Sequence, residues 1–383
     1  MREAVIVEGV RTPVGRKNGF LKDIRADDLA AEALKALVGR AGIDPHFIDD
    51  VILGCVSQIG EQTGDIARVA ALIAGFPIEV PGTTIDRQCG SSQQAVHFAA
   101  QAILAGDMDI VIAGGVESMS RVPIGSSYQG AGFSEKLTDR HEIIHQGLSA
   151  ERIAEKYGFT REELDHYSLE SHQKALKAQA EKRFEREIAP LDVTLSDGQL
   201  MTVSEDSGPR KETSLEALGS LRTVFKENGV IHAGNSSQIS DGAAALLIMS
   251  RDKAEELGMK PRFRILARTA VGSDPTLMLT GPLPATEKVL KKAGLAIENI
   301  DVFEVNEAFA PVPLAWLKET GADPAKLNPN GGAIALGHPL GGSGARLMVT
   351  MMHELERTGG RYGLQTMCEG LGMANATIIE RLD

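Results

Sequence analysis

Residues 86–103 read DRQCGSSQQAVHFAAQAI, and residues 328–346 read NPNGGAIALGHPLGGSGAR. The Gly90-Ser91 pair of the first stretch recurs 252 residues later as Gly342-Ser343, and each pair opens a helical pattern. Two further short matches keep this offset: Ala41-Gly42-Ile43 with Ala293-Gly294-Leu295, and Ile48-Asp49 with Ile300-Asp301. Three matches in one register indicate that the chain contains two related halves.

Strand-like and helix-like patterns alternate along both halves. Short β-branched runs at residues 4–7, 51–53 and 110–113 stand between longer helical patterns. This alternation predicts an α/β fold with helices packed on sheets. A polar region separates the halves, and the apolar run at residues 241–250 returns to the core. We therefore expect three parts: an N-terminal half over residues 1–120 completed by about residues 241–261, an insertion over residues 121–240, and a C-terminal half over residues 262–383.

The composition excludes several classes of function. With 43% hydrophobic and 24% charged residues the chain is typical of a globular protein, and its formal net charge of -12 argues against nucleic-acid binding. Three cysteines in 383 residues form no disulfide framework, which favours a reducing compartment. No signal peptide and no apolar run of ~18 residues is recognisable, so we expect a cytoplasmic protein without membrane insertion. Paired cysteine ligands and an H-E-x-x-H motif are missing, so we expect no metal site.

Cys89 is the strongest candidate for chemistry. It follows a strand pattern at residues 83–85 and precedes a helix, which places its sulfur at a helix N-terminus that favours the thiolate. The small residues 90–92 leave room for a substrate. A buried structural cysteine is the alternative, and it suits Cys55 in the apolar run VILGCV. The polar neighbours of Cys89 favour a nucleophile.

His338 lies in a glycine-dense loop that precedes the second of the repeated helices. Glycine at this density implies backbone pressed against a ligand or another chain segment. An isolated histidine is usually structural, but one between Gly337 and Pro339 on such a loop is a candidate base. If the halves pack about a pseudo-two-fold axis, the two helix starts face each other and His338 meets Cys89.

Two further strand ends carry reactive or polar groups. Cys368 follows the strand-like YGLQTM and precedes Glu369-Gly370, which is a ligand-facing position in α/β sheets. Asn306-Glu307 interrupts the apolar VFEVNEAFAPV. It either ends a strand in an Asx-type turn or directs a polar group into a site.

Five motifs together carry a family resemblance over essentially the whole chain. They are DRQCGSSQQA at residues 86–95, GNSSQISDGAAA at 234–245, VNEAFA at 305–310, NGGAIALGHPLGGSGAR at 330–346 and CEGLG at 368–372. In this order, and with the repeat and the insertion in place, the chain resembles the thiolases. The resemblance is nearest to degradative members, including those that act on bulky acyl chains.

The resemblance implies a duplicated αβαβα five-layer core with an inserted loop domain that covers coenzyme A. Cys89 matches the nucleophile that becomes acylated, His338 its activating base, and Cys368 the second thiol, which moves a proton. Asn306 matches the residue whose bound water forms an oxyanion hole with His338, and the backbone N–H groups of Cys89 and Gly370 match a second hole. Positions that match coenzyme A contacts in the family are Ser237, Arg210 and His145. Coenzyme A is a substrate in such enzymes, and no permanently bound cofactor is implied.

The implied reaction is the reversible cleavage of 3-ketoacyl-CoA by coenzyme A, or the reverse Claisen condensation, through an acyl group on Cys89. An acetoacetyl-CoA-specific biosynthetic thiolase is the nearest alternative. A ketoacyl synthase pairs its cysteine with two histidines, a silent acyl-CoA-binding protein lacks Cys89 or His338, and a cysteine hydrolase explains neither Cys368 nor the duplication. The family forms dimers that often pair into tetramers, so we expect a homo-oligomer, with residues 121–140 as a candidate contact.

Four positions depart from the usual family pattern and bear on the acyl-chain preference. Asp86 and Ser92 stand where Asn and Gly are common, Gln146 replaces a frequent Met, and CEGLG lacks a third consecutive glycine. The catalytic atoms are unaffected.

Overall fold

The computed structural model describes residues 2–194 and 198–382. The strands of this part are β1 Ala4–Arg11, β2 Gly15–Arg16, β3 Asp50–Gly54, β4 Gly82–Ile85, β5 Ile110–Ser118, β6 Leu191–Thr194, β7 Leu200–Val203, β8 Ser240–Ser250, β9 Phe263–Gly272, β10 Val302–Val305, β11 Tyr362–Glu369 and β12 Met373–Arg381. Its α-helices are α1 Ala26–Ala41, α2 Ile66–Ile73, α3 Ser91–Ala105, α4 Glu135–Thr138, α5 Gln146–Tyr157, α6 Arg161–Ala180, α7 Leu215–Gly219, α8 Arg251–Glu256, α9 Pro282–Ala293, α10 Pro311–Thr320, α11 Ala333–Leu336 and α12 Leu340–Thr358. Over these described ranges, no helix combines the length and the apolar character that a membrane span requires.

The strands of the two halves form one hydrogen-bonded path in the order β10-β11-β12-β9-β1-β8-β5-β3-β4. In the N-terminal half, β8 pairs antiparallel with β1 and β5, while β3 runs parallel to β5 and β4. In the C-terminal half, β12 pairs antiparallel with β9 and β11, and β10 runs parallel to β11. The halves join through a short pairing of β1 with β9, and β8 pairs with β1 of the first half.

The sequence repeat performs the same structural task in both halves. Gly42 and Gly294 end α1 and α9, each with φ of 67°, the left-handed conformation that glycine adopts at helix C-termini. Asp49 Oδ2 accepts hydrogen bonds of 2.7 and 2.9 Å from two backbone N–H groups at the start of β5. Asp301 Oδ2 accepts the equivalent bonds of 2.7 and 3.0 Å at the start of β11. The repeated aspartate therefore sets the register of neighbouring parallel strands.

Helices α3 and α12 form the middle of five layers. They pack on each other, α3 also contacts β3, β5 and β8, and α12 contacts β5, β8, β10 and β11. On the outside, α1 and α2 cover the N-terminal strands, while α9 covers β9, β11 and β12. The resulting order of helices, strands, helices, strands and helices is the αβαβα architecture that the resemblance implied.

The glycines near His338 are required mainly by this packing rather than by a ligand. A Cβ atom on Gly344 would lie 2.4 Å from the backbone nitrogen of Gln93, and one on Gly341 would lie 2.6 Å from the carbonyl oxygen of Val116. Ser92 Oγ accepts a hydrogen bond of 2.9 Å from the nitrogen of Ala345 on the facing helix. Small residues in both repeats therefore let α3 and α12 meet at backbone distance.

The insertion is tied to the C-terminal half by a buried carboxylate. Glu307, which directly follows Asn306, accepts hydrogen bonds from Tyr167 Oη at 2.9 Å and Ser171 Oγ at 2.8 Å on α6. It also accepts bonds from Asn328 Nδ2 at 3.0 Å and from the nitrogen of Ile334 at 3.1 Å. Glu307 is thus a structural anchor, whereas its neighbour Asn306 faces the catalytic histidine candidate.

Replacing Glu307 by glutamine is expected to destabilise the protein. A carboxamide cannot accept all four bonds, and its NH2 group would face donors, at a cost of about 1–3 kcal/mol. Urea unfolding measures this change, with Glu298→Gln at an exposed acid as the matched control. An unfolding free energy equal to that of the control would rule out the anchoring role.

Candidate active site

A cleft of about 520 Å³ brings together Cys89, His338 and Gly370. It is bordered by segments from both halves and by the insertion. Most of its lining side chains are apolar, including Ile124, Phe133, Phe225, Met278 and Phe309. An apolar cleft with a few convergent polar groups is typical of a small-molecule site.

Cys89 lies in a tight strand-to-helix turn. Gln88 has φ of 49°, a left-handed conformation, and its backbone nitrogen donates to Asp86 Oδ1 at 2.7 Å. Ser91 Oγ donates to the Gln88 carbonyl oxygen at 2.6 Å. Gly90 is the N-cap of α3, so Cys89 directly precedes the helix, as the sequence predicted. Asp86, one of the departures from the family pattern, closes this turn.

Burial keeps Cys89 protonated. Its side chain is 7% exposed, and burial raises its pKa well above the usual range, with further contributions from Cys368 and Glu369. The position of Cys89 at a helix N-terminus predicts instead a stabilised thiolate. The desolvation of a buried sulfur outweighs that dipole, so a base is needed to release the nucleophile.

The hydrogen bonds of His338 assign its tautomer. Nδ1 lies 2.6 Å from Ser343 Oγ, which donates its own proton to the Pro339 carbonyl oxygen at 2.7 Å. Ser343 therefore accepts from Nδ1–H, and Nε2 carries the free electron pair. Nε2 lies 3.4 Å from Asn306 Nδ2. Burial lowers the pKa of His338 to about 3, with the charge of Arg346 adding to the effect, so the imidazole is neutral.

Cys368 lies within β11 rather than after it, because it pairs with Ala374 of β12. Burial raises its pKa to about 12, and a hydrogen bond from the Asn306 side chain opposes that rise. The resting group is therefore a thiol able to donate a proton. Asn306 Oδ1 is buried and has no hydrogen-bond partner among the residues that the structure describes.

The positions that match coenzyme A contacts divide between two adjoining cavities. Ser237 and His145 line the cleft with Cys89, and the His145 ring stacks on Phe225 with centroids 5.0 Å apart. Arg210 lines a smaller cavity of about 230 Å³. Gln238 borders both cavities, and its carbonyl oxygen accepts the backbone N–H of His338 at 3.1 Å.

Two positioning residues were not recognised in the sequence. Glu117 at the end of β5 is buried and accepts hydrogen bonds of 2.9 Å from the backbone nitrogens of both Val56 and Gly341. It thereby holds the start of α12 against the N-terminal half. The sequence feature that could have identified Glu117 is an acidic residue near the end of the apolar strand IVIAGGVES. Ser343 was visible in the repeat, since its counterpart Ser91 closes the equivalent turn.

Metal ligation receives no support from this geometry. Across residues 2–194 and 198–382, no cluster of three or more His, Cys, Asp or Glu side chains could hold an ion. Cys89 and His338 line the cleft, Asn306 Nδ2 lies against His338, and Cys368 is hydrogen-bonded to Asn306. Two thiols, an imidazole and a carboxamide suit acyl transfer through a cysteine.

Comparisons with known proteins agree with this arrangement. Residues 4–252 match the model of the thiolase N-terminal domain, and residues 259–381 match that of the thiolase C-terminal domain. The steroid 3-ketoacyl-CoA thiolase FadA6 of Mycobacterium tuberculosis is 51% identical over 393 residues, which span 100% of this chain and 95% of that protein. The 3-oxoadipyl-CoA/3-oxo-5,6-dehydrosuberyl-CoA thiolase of Escherichia coli is 47% identical over 401 residues, with 100% of both chains covered.

The fold agrees as well. The crystal structure of the Bacillus anthracis acetyl-CoA acetyltransferase matches with a TM-score of 0.92 and 40% identity, over 100% of this chain and 99% of that one. The resemblance and the fold class predicted from the sequence are therefore confirmed. The chain belongs to the thiolase family of acyltransferases.

Proposed function

We propose that this protein cleaves 3-ketoacyl-CoA with the thiol of coenzyme A, giving acetyl-CoA and a shortened acyl-CoA, and that Cys89 carries the acyl group. One observation carries the proposal: Cys89 lines the same cleft as His338, a neutral base whose Nε2 faces Asn306. Cys368 adds a second thiol whose charge would act on Cys89. A hydrolase needs no such second thiol.

In the first step, His338 Nε2 takes the Cys89 proton as the sulfur attacks the keto carbon of the substrate. Both groups are neutral before the reaction, so proton transfer and attack are coupled. No thiolate–imidazolium pair of Cys89 and His338 forms before the attack. The bond between the keto carbon and the α-carbon then breaks. The acetyl-CoA enolate leaves, and its α-carbon takes the Cys368 proton. Coenzyme A then gives its thiol proton to the Cys368 thiolate as its sulfur attacks the acyl carbon, and the Cys89 sulfur leaves with the proton held by His338.

Two sets of donors are proposed to stabilise the oxyanions. Asn306 Nδ2 and His338, with a water between them and the substrate, serve one oxygen, and the backbone N–H groups of Cys89 and Gly370 serve the other. Gly370 lines the cleft, and a Cβ atom there would lie 3.0 Å from Gln88 Oε1. The absence of a side chain keeps this N–H accessible to a thioester oxygen.

The insertion is proposed to act as the loop domain that covers coenzyme A, in the three-part organisation expected from the sequence. His145 and Ser237 line the cleft and are proposed to contact the pantetheine arm. Arg210 borders the adjoining cavity, where a cation suits the phosphate-bearing part of the coenzyme. Ile124, Tyr128 and Phe133 are 55%, 47% and 41% exposed, which supports residues 121–140 as a contact in a dimer or tetramer, to be tested by sedimentation.

The substrate is tested with a panel of 3-ketoacyl-CoA thioesters from acetoacetyl-CoA upward. The panel includes a ring-bearing member and an ω-carboxylated member, because the relatives carry the names of both kinds of substrate. Release of acetyl-CoA that depends on added coenzyme A is the expected result. Turnover of acetoacetyl-CoA alone would favour the biosynthetic alternative, and no turnover with any member would refute the proposal.

Replacing Ser343 by alanine is expected to lower kcat about tenfold and to leave KM nearly unchanged. The His338 Nδ1–H loses its acceptor, and the tautomer with a free Nε2 is no longer favoured. A tenfold change in rate corresponds to about 1.4 kcal/mol, which lies within the range for one lost hydrogen bond. Steady-state thiolysis kinetics measure it, and an unchanged kcat would show that Ser343 does not select the tautomer. Ser92→Ala, on the facing helix, controls for loss of a buried hydroxyl.

A further inference from the structure

Glu369, the last residue of β11, has a fully buried carboxyl group beside the nucleophile turn. A Cβ atom on Gly90 would lie 2.0 Å from Glu369 Oε1 and 2.8 Å from Asn375 Oδ1. The carboxyl group therefore fills the space next to the residue that follows Cys89. The mechanism proposed above does not use it.

An ionised Glu369 would leave hydrogen-bond acceptors facing one another with no proton between them. Neither oxygen of Glu369 has a partner among the described residues, and Asn375 Oδ1 beside them has none either. Buried acceptor oxygens that face one another without a hydrogen bond between them are costly. A proton on Glu369 corrects this, because its O–H can then donate to Asn375 Oδ1. Asn375 Nδ2 continues the chain by donating to the Gly90 carbonyl oxygen at 3.2 Å.

The charged surroundings agree with a protonated acid. Burial raises the pKa of Glu369 to about 8, Arg87 and the backbone N–H of Asn375 oppose this rise, and Asp86 adds to it. The other titratable groups that face it are the thiols of Cys89 and Cys368, and negative charge on Glu369 raises the pKa of each. An ionised Glu369 would therefore suppress formation of either thiolate.

We propose that Glu369 is a positioning residue that acts as a neutral acid: it holds the start of α3 through Asn375, and its ionisation makes the cysteines of the cleft unreactive. The proton lost in that ionisation passes to bulk solvent. The inference rests on the proposed role of Cys89. It predicts that activity falls at alkaline pH because Glu369 ionises, although Glu369 is not one of the groups that touch the substrate.

The first test is the rate of Cys89 alkylation by iodoacetamide as a function of pH, followed by mass spectrometry of the Cys89 peptide. In wild-type protein the rate is expected to rise less steeply with pH once the pH exceeds about 8. In Glu369→Gln it should keep rising and exceed the wild-type rate about tenfold near pH 9.5, since one pKa unit of the thiol is tenfold in thiolate. Below pH 7 the two rates should agree within about twofold. Superimposable profiles would overturn the inference, whereas absent thiolysis in wild type would overturn only the proposed function.

The second test separates positioning from simple packing. Glu369→Gln keeps a neutral donor for Asn375 Oδ1 and should retain kcat within about threefold at pH 7. Glu369→Ala removes the donor and should lower kcat at least about tenfold with little change in KM, at about 1.4 kcal/mol per tenfold. Equal kcat values for the two variants would contradict the positioning role.

A measurement on wild-type protein guards against variants that fail to fold. Difference infrared spectroscopy should detect a protonated, buried carboxylic acid whose carbonyl band disappears as the pH rises through about 8. Deuterium exchange or thermal unfolding at the same pH values confirms that the protein remains folded. The absence of a carboxylic acid band at pH 7 would refute the neutral state of Glu369.

Discussion

Cys89→Ala is expected to have no measurable thiolysis, with a rate at least about 10⁴-fold below wild type. Removal of an enzyme's nucleophile costs this much or more, because the remaining groups stabilise an intermediate that can no longer form. The substitution removes one sulfur atom from a small buried cluster with Met119, Leu340, Leu347 and Met367, so the fold should persist. Steady-state release of acetyl-CoA and thermal unfolding together measure both outcomes.

Cys55→Ala is the matched control for this result. Cys55 is also buried, its pKa is raised by burial and by Glu117, and it does not line the cleft. The same substitution there should leave turnover within about twofold of wild type, as expected for a structural thiol. If Cys89→Ala retained turnover, or if Cys55→Ala abolished it, the assignment of the nucleophile would be wrong.

Cys368→Ser is expected to lower turnover by about 10²–10⁴-fold, the usual contribution of a general acid or base. Cys368 is buried and hydrogen-bonded to the Asn306 side chain. Burial raises the pKa of Cys368 to about 12, so this residue is a thiol that can donate a proton. A serine hydroxyl occupies the same place but is too weak an acid to protonate the α-carbon of the leaving enolate. The chemistry that needs only Cys89 and His338 should survive.

Labelled acetyl-CoA provides the decisive measurement for that division of roles. Transfer of its acetyl group to Cys89 breaks no carbon–carbon bond and so requires no proton at an α-carbon. Mass spectrometry should therefore detect acetylated Cys89 in the Cys368→Ser protein although thiolysis is nearly lost. If no label is trapped on Cys89, Cys368 takes part in acylation itself. Asn306→Asp, which puts a carboxylate 3.4 Å from His338 Nε2, should impair both steps and serves as the contrasting variant.

Short-range sequence patterns were enough to predict the parts of the fold that depend on where strands and helices begin. The repeat of Asp49 as Asp301 indicated the duplication in the sequence. In the structure, each of these aspartates accepts hydrogen bonds from the start of a neighbouring strand in the same way. Cys89 and His338 could be placed before helix starts because strand and helix periodicities can be recognised within short stretches of sequence. Glu307 could not be separated from Asn306 in the sequence, since its partners on α6 lie about 140 residues away.

The sequence by itself determined the α/β class, and it predicted the two halves and the thiols, the imidazole and the carboxamide that are proposed to carry the chemistry. Only the tertiary structure decided their protonation states. A helix N-terminus alone favours a thiolate at Cys89, but the packing of α3 against α12 removes water from it, and desolvation prevails. The neutral tautomer of His338 and the orphaned oxygens of Glu369 likewise depend on burial. Burial is created by segments distant along the chain, and local sequence carries no measure of it.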